Sequence, residues 1–175
     1  MPKLQPEPWL RGTHEDIAPV PRAALHAIEL AGEDLALWCA SLSGEELHVS
    51  PFGLPSIAFQ LRHIARSLDR LLTYAEGKAL SAQQLAALTS ESSAAGPRAE
   101  LFGELTIALA QSCSRIRKFG AALPSLQESR TVGRKKLPTT VAGLLVHVAD
   151  HTQRHVGQAI TTAKIILARR ADQPA

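Results

Sequence analysis

The sequence is short of the residues that build β-sheets and disulfide scaffolds. Among 175 residues there are one Tyr, two Trp, four Phe and seven Val, and aromatic and β-branched types are the ones that favour strands. That scarcity argues against an all-β fold. Cys39 and Cys113 make no spaced framework, which excludes a disulfide-stapled scaffold and fits a reducing compartment. No apolar run approaches the roughly 18 residues a membrane span needs, so no membrane partner is expected. The opening Met1-Pro-Lys-Leu-Gln-Pro-Glu-Pro-Trp9 has nothing like the apolar core of a signal peptide, and the cytoplasm is the expected location. Neither charge sign dominates: 19 basic and 16 acidic residues leave +3. The basic clusters around Arg115, Arg134 and Arg169 have almost no interleaved aromatics for base stacking. No nucleic-acid partner is expected.

What is abundant is helix-forming: 28 Ala and 25 Leu. Both rank among the strongest helix formers, so the chain is expected to be all-α. Its length fits one domain spanning residues 1–175. Proline near the start and glycine just past the end mark the first three apolar-periodic segments, as helix termini require. The first helix is expected from near Pro21 to before Gly44, with Ile28, Ala31, Leu35, Trp38 and Leu42 as its stripe. The second is expected from Pro55 to Gly77, with Ile57, Leu61, Ile64, Leu68 and Leu71. The third runs from Pro97 to Gly120, with Phe102, Leu105, Leu109, Cys113 and Ile116. The fourth follows Pro138, capped by Thr139 or Thr140, and runs to about Ala168 along Val141, Leu145, Val148, Thr152, Ala159, Ala163 and Ile166.

One apolar face per helix predicts a four-helix bundle. Long loops separate the second from the third helix and the third from the fourth. The short segment between the first two predicts antiparallel neighbours. A short helix capped by Ser81 is expected over residues 81–88. The Ser-Glu-Ser-Ser-Ala-Ala-Gly run after it reads as a mobile surface loop.

Seven histidines are the unusual count. Three of them, His147, His151 and His155, stand four residues apart on the fourth helix, so neighbouring members share a face. An i, i+4 pair can chelate one ion. Around the wheel, His155 lies about 40° from the stripe's centre, His151 about 80° and His147 about 120°, which makes His151 with His155 the inward pair. A third ligand from a facing helix is needed, and His63, about 110° from the stripe of the second helix, is the candidate. Spacing alone leaves open that these are solvated or core-satisfied histidines.

The run His147-Val-Ala-Asp-His151-Thr-Gln-Arg-His155-Val-Gly157-Gln158 resembles the closing helix of the DinB-like (damage-inducible) four-helix bundle family. Pro55-Ser-Ile-Ala-Phe-Gln-Leu-Arg-His63-Ile resembles its second-helix motif, and Leu137-Pro138-Thr139-Thr140-Val141 the lead-in to its fourth helix. The resemblance covers nearly the whole chain, including Trp9 and Arg11. It implies a divalent metal ion held by His63, His151 and His155. It departs at Val156, where the family commonly has arginine.

Three imidazoles with an open position make a catalytic type of site, and ligation by imidazole alone suits Zn²⁺ or Ni²⁺. The resemblance implies thiol-dependent chemistry: transfer of a low-molecular-weight thiol to a small electrophilic substrate. A non-catalytic metal-dependent binding or stress-response protein is the alternative. A homodimer is expected, partly from the resemblance and partly from a flat face around Trp38. Gln60, Ser67 and Tyr74 share the side of His63 and are expected to line the pocket. Cys39 and Cys113 fall near the stripes and read as buried, inert thiols. His14, His26 and His48 read as surface residues, and Asp150 as a solvated charge. The Arg134-Lys135-Lys136 loop could steer an anionic thiol, although a solvated loop is the simpler reading.

Overall fold

The computed structural model describes residues 5–91, 96–120 and 126–172. Its elements are α1 (Pro19–Trp38), α2 (Ile57–Ala75), α3 (Ala82–Thr89), α4 (Arg98–Gly120), β1 (Ser129–Val132), β2 (Leu137–Thr140) and α5 (Val141–Ala171). The expected all-α bundle is what forms, and the termini follow the local chemistry. Ser56 caps α2 by accepting from the Phe59 N–H. Thr140 caps α5 by accepting from the Gly143 N–H. Ser81 and Gln84 make a reciprocal capping box on α3, satisfying two otherwise orphaned donors.

The packing order differs from the one expected. α1 packs on α4 and α5, and α2 packs on the same two helices, so α1 and α2 occupy opposite corners and are not antiparallel neighbours. The cause lies at the end of α1, which stops at Trp38, well before Gly44. There the Ser43 hydroxyl and Glu46 carboxylate exchange hydrogen bonds with each other's N–H groups and start a separate turn, Glu46–His48. Arg98 reaches across from α4 and donates to the Cys39 and Leu42 carbonyls at 3.0 and 2.8 Å. Side chains that satisfy backbone groups outside the helix in this way compete with its continuation. The released segment, residues 39–56, is long enough to cross the end of the bundle.

Cross-helix pairs set the directions. Arg62 meets Glu100 and Glu104, while Arg115 meets Asp69 and Glu76, so α2 and α4 run parallel. His63 meets His151 and Thr162 meets the Pro55 carbonyl, so α2 and α5 run antiparallel. A parallel α2–α4 pair forces the chain to travel back along the bundle between them. α3 makes that return beside α2: Gln84 bonds Asp69 and Thr73, and Arg66 bonds the Ala87 carbonyl and Ser90. Among the described residues of α3, none is buried.

The core is one cluster that includes Leu25, Ile28, Leu35, Leu61, Ile64, Leu68, Leu105, Ile116, Leu145 and Val148. Burial of each such side chain is worth roughly 1.5–3 kcal/mol. Flanked by α3, α4 and α5, α2 is covered on most sides, which is why Gln60, Arg62 and Arg70 are buried along with its apolar stripe.

A β-hairpin precedes α5 where the sequence suggested only a long loop. β1 and β2 pair antiparallel with Ser129 opposite Thr140 and Val132 opposite Leu137. Four-residue strands with Pro138 inside one of them give almost no period-two signal. No described helix is long and apolar enough to cross a membrane.

Candidate metal centre

His63 on α2 and His151 and His155 on α5 converge where these antiparallel helices face each other. One ring nitrogen from each lies within 4.8 Å of the others. The His63 and His155 ring centroids are 4.2 Å apart, and those of His151 and His155 4.5 Å. His63 Nε2 and His151 Nε2 stand 3.4 Å apart. Two nitrogens on a tetrahedral zinc, each about 2.05 Å from it, are also separated by about 3.4 Å. His147 is exposed and contacts the group only through His151, at 5.3 Å between rings. Phe59 stacks on the His63 ring at 5.5 Å.

Hydrogen bonds decide which nitrogens face inward. The Gln60 amide donates from Nε2 to Gln158 Oε1 at 2.9 Å, which turns its oxygen towards His155 Nδ1, 2.7 Å away. That oxygen can only accept, so His155 carries its proton on Nδ1 and leaves the Nε2 lone pair free. The Glu91 carboxylate does the same for His63, with Oε2 at 3.0 Å from Nδ1. His151 is different. Its Nδ1 is buried without a hydrogen-bond partner, while its Nε2 faces the His63 Nε2 lone pair at 3.4 Å. The metal-free ring therefore keeps its proton on Nε2 and presents that lone pair only after tautomerising.

Burial, followed by the neighbouring imidazoles, pushes the pKa of His151 down to about 4. Burial and the charges of His63 and Arg154 do the same for His155, also to about 4. Both rings are therefore neutral at pH 7, with lone pairs available. Burial alone would raise Glu91, but hydrogen bonds from His63 and Arg70 and the Arg70 charge outweigh it and hold the carboxyl below the usual range. Three imidazole nitrogens, two of them oriented, fit a borderline divalent ion.

A second group, His14, His26 and Glu29, also brings three potential donors within 4.8 Å, but its protons are arranged differently. Arg117 donates to His14 Nδ1 at 2.8 Å, so the His14 proton sits on Nε2 and goes to Glu29, 2.6 Å away. No lone pair of His14 is left to face an ion, and the group is a clasp tying the N-terminal segment to α1 and α4. It also corrects two expectations. His26 is buried rather than at the surface, because Thr13 folds over it and bonds its Nε2 at 3.1 Å. His14 is half-buried beside Glu29.

Of the expected pocket residues, only Gln60 touches the site. Ser67 is buried and donates to the Ile64 carbonyl. Tyr74 lines a separate cleft with Lys78, Arg130 and Thr131, because eleven residues along a helix is about 16 Å. Asp150 is exposed and paired with Arg154, as expected. Val156 is buried in the core stripe of α5, so an arginine there would point into the bundle. Burial pushes Cys39 up to about 11 and also raises Cys113.

Glu91 was missed. In Ser-Glu-Ser-Ser it looks like a solvated charge in a mobile loop, whereas it is 6% exposed and clamped by Arg70. Only the return of the chain along α2 places it there. Residues 92–95 of that expected loop lie outside the described residues.

A helical bundle with three imidazoles gathered between two long helices defines a candidate metal-binding bundle. The DinB superfamily model matches residues 27–159, and the chain belongs to that superfamily. No curated protein matches the chain.

Proposed function

We propose that the chain is a metal-dependent enzyme, working as a homodimer, in which His63, His151 and His155 hold one divalent ion, Zn²⁺ or Ni²⁺. Its reaction joins a low-molecular-weight thiol to a small electrophile. The observation that carries this reading is the convergence of three imidazoles, two of them with their N–H groups held on the far side by buried acceptors. Held by three neutral ligands, the ion keeps its full charge, and the chemistry it supplies is to let a nearby thiol ionise below its free pKa.

The protein's own residues prepare that environment. His151 and His155, with pKa values near 4, have no proton to shed before loading at neutral pH. The raised pKa values of Cys39 and Cys113 keep the chain's own thiols protonated, so the reacting sulfur belongs to the cosubstrate. That sulfur forms a bond to the electrophilic carbon as the leaving group departs, and the thiol proton passes to solvent. Arg134, Lys135 and Lys136 are exposed on the hairpin turn just before α5 and suit a thiol of negative charge.

Metal analysis of untagged protein tests the reading. One ion per chain is expected, sharply weakened by alanine at any of the three ligands and nearly unchanged by His147→Ala. Transfer of a thiol to a chlorodinitrobenzene should vanish on chelation and in His151→Ala. Equal rates in wild type, His151→Ala and chelated protein would favour a non-catalytic metal-binding role instead.

A further inference from the structure

Behind His63, on the side away from the other two rings, stands a buried carboxylate–guanidinium pair, Glu91 and Arg70. Glu91 is 6% exposed, follows α3, and bonds His63 Nδ1 at 3.0 Å through Oε2. Arg70 holds the same carboxylate from α2, at 2.6 Å to Oε1 and 3.3 Å to Oε2. We propose that Glu91 is the positioning residue of the metal site, fixing the His63 tautomer so that Nε2 presents its lone pair; this rests on the metal-binding reading above.

The geometry excludes the simpler alternative of a fourth ligand. The two nitrogens of an imidazole point in nearly opposite directions. A carboxylate bonded to Nδ1 therefore stands behind the ring and cannot share an ion with Nε2. A carboxylate accepting from the remote N–H of a ligating histidine fixes ring orientation and raises the basicity of the ligating nitrogen. Arg70 in turn fixes the carboxylate, since a bidentate guanidinium leaves it one orientation. Without that acceptor, nothing would stop the His63 proton from moving to Nε2, where His151 Nε2 stands only 3.4 Å away. The proton would then sit where the ion must bind.

Glu91 reaches this position on a segment tied to α2 by polar contacts. α3 contributes no buried side chain and is tied to α2 through Gln84, Arg66 and the Arg70–Glu91 pair. The crossover between α2 and α4 thus carries part of the site.

The test reads the rings before any metal is added. In ¹⁵N-labelled metal-free protein, long-range ¹H–¹⁵N correlations should show His63 and His155 as Nδ1–H tautomers and His151 as Nε2–H, donating to His63 Nε2. Glu91→Ala should move His63 towards Nε2–H and leave His155 unchanged. Calorimetric titration with Zn²⁺ should then show affinity lowered about 10- to 100-fold. Because Glu91→Ala strips Arg70 of its partner, Glu91→Gln is the companion variant. Its amide oxygen can still accept from Nδ1, so it should retain the His63 tautomer and more of the affinity. An unchanged His63 tautomer together with unchanged Zn²⁺ affinity in Glu91→Ala overturns the proposal. A wild type that binds no Zn²⁺ overturns the metal reading, whereas a tautomer shift in Glu91→Ala would still assign Glu91 its orienting role.

Discussion

The metal-free chain should have an acid-sensitive seam between α2 and α5. His151 and His155 titrate near 4 in the folded chain, against about 6.5 for an unperturbed histidine. Below pH 6.5 the unfolded chain takes up protons at these positions and the folded chain does not. Stability is therefore complete above pH 6.5 and is lost as pH falls towards 4. A separation of about 2.5 units is worth about 3.4 kcal/mol per ring where water is excluded. Both rings are only half-buried, so solvent screening cuts this to about 3 kcal/mol for the pair. Urea titrations of chelator-treated protein at pH 7.5 and 4.5 measure the effect against the His151→Leu/His155→Leu double variant. Carboxylates held low by arginine, such as Glu33 and Glu46, also lose stability in acid, but equally in both proteins. The wild-type midpoint should fall by roughly 1–2 M more than that of the variant. The metal-free protein should stay helical at pH 7.5 throughout, because its core does not depend on the ion. Equal falls in the two proteins would refute the reasoning.

Gly143→Ala tests the start of α5, where an added Cβ would lie 2.7 Å from Thr139 Oγ1 and 3.4 Å from the capping Thr140 Oγ1. A loss of about 1–2 kcal/mol and a Tm lower by several degrees are expected, whereas a higher Tm would show that helix propensity outweighs the cap. Light scattering at micromolar concentration should give twice the chain mass, and a species of 18.8 kDa alone excludes the dimer.

The helices were legible because their punctuation is local. Ser56, Ser81 and Thr140 cap the elements they precede, and proline and glycine bracket them. The wheel separated exposed His147 from the inward pair, since one period governs the whole of α5. What failed depended on partners distant in sequence. Nothing near Trp38 announces that Arg98 will bond the carbonyls beyond the end of α1. His26 is buried by Thr13, a residue outside its helix, so a wheel could not place it. Tyr74 shares an angle with His63 but not a height, and angle alone was read. Glu91 belongs to the site only because the parallel α2–α4 pair sends the chain back past His63.

The ring pair that joins α2 to α5 also bears on the order in which the molecule assembles. His63 and His151 are 88 positions apart, and closing a loop of that length costs about 4 kcal/mol of chain entropy, plus a constant. No contact between His63 and the α5 histidines exists until that loop is closed. The closure must therefore be driven by the apolar faces of α2 and α5, which meet at Leu61, Ile64, Val148 and their neighbours in the core. An ion arriving early finds, at most, a single pair of histidines one helical turn apart. The third arm of the tripod exists only once the last helix has docked, so metal capture by the proposed site would report completed folding rather than initiate it.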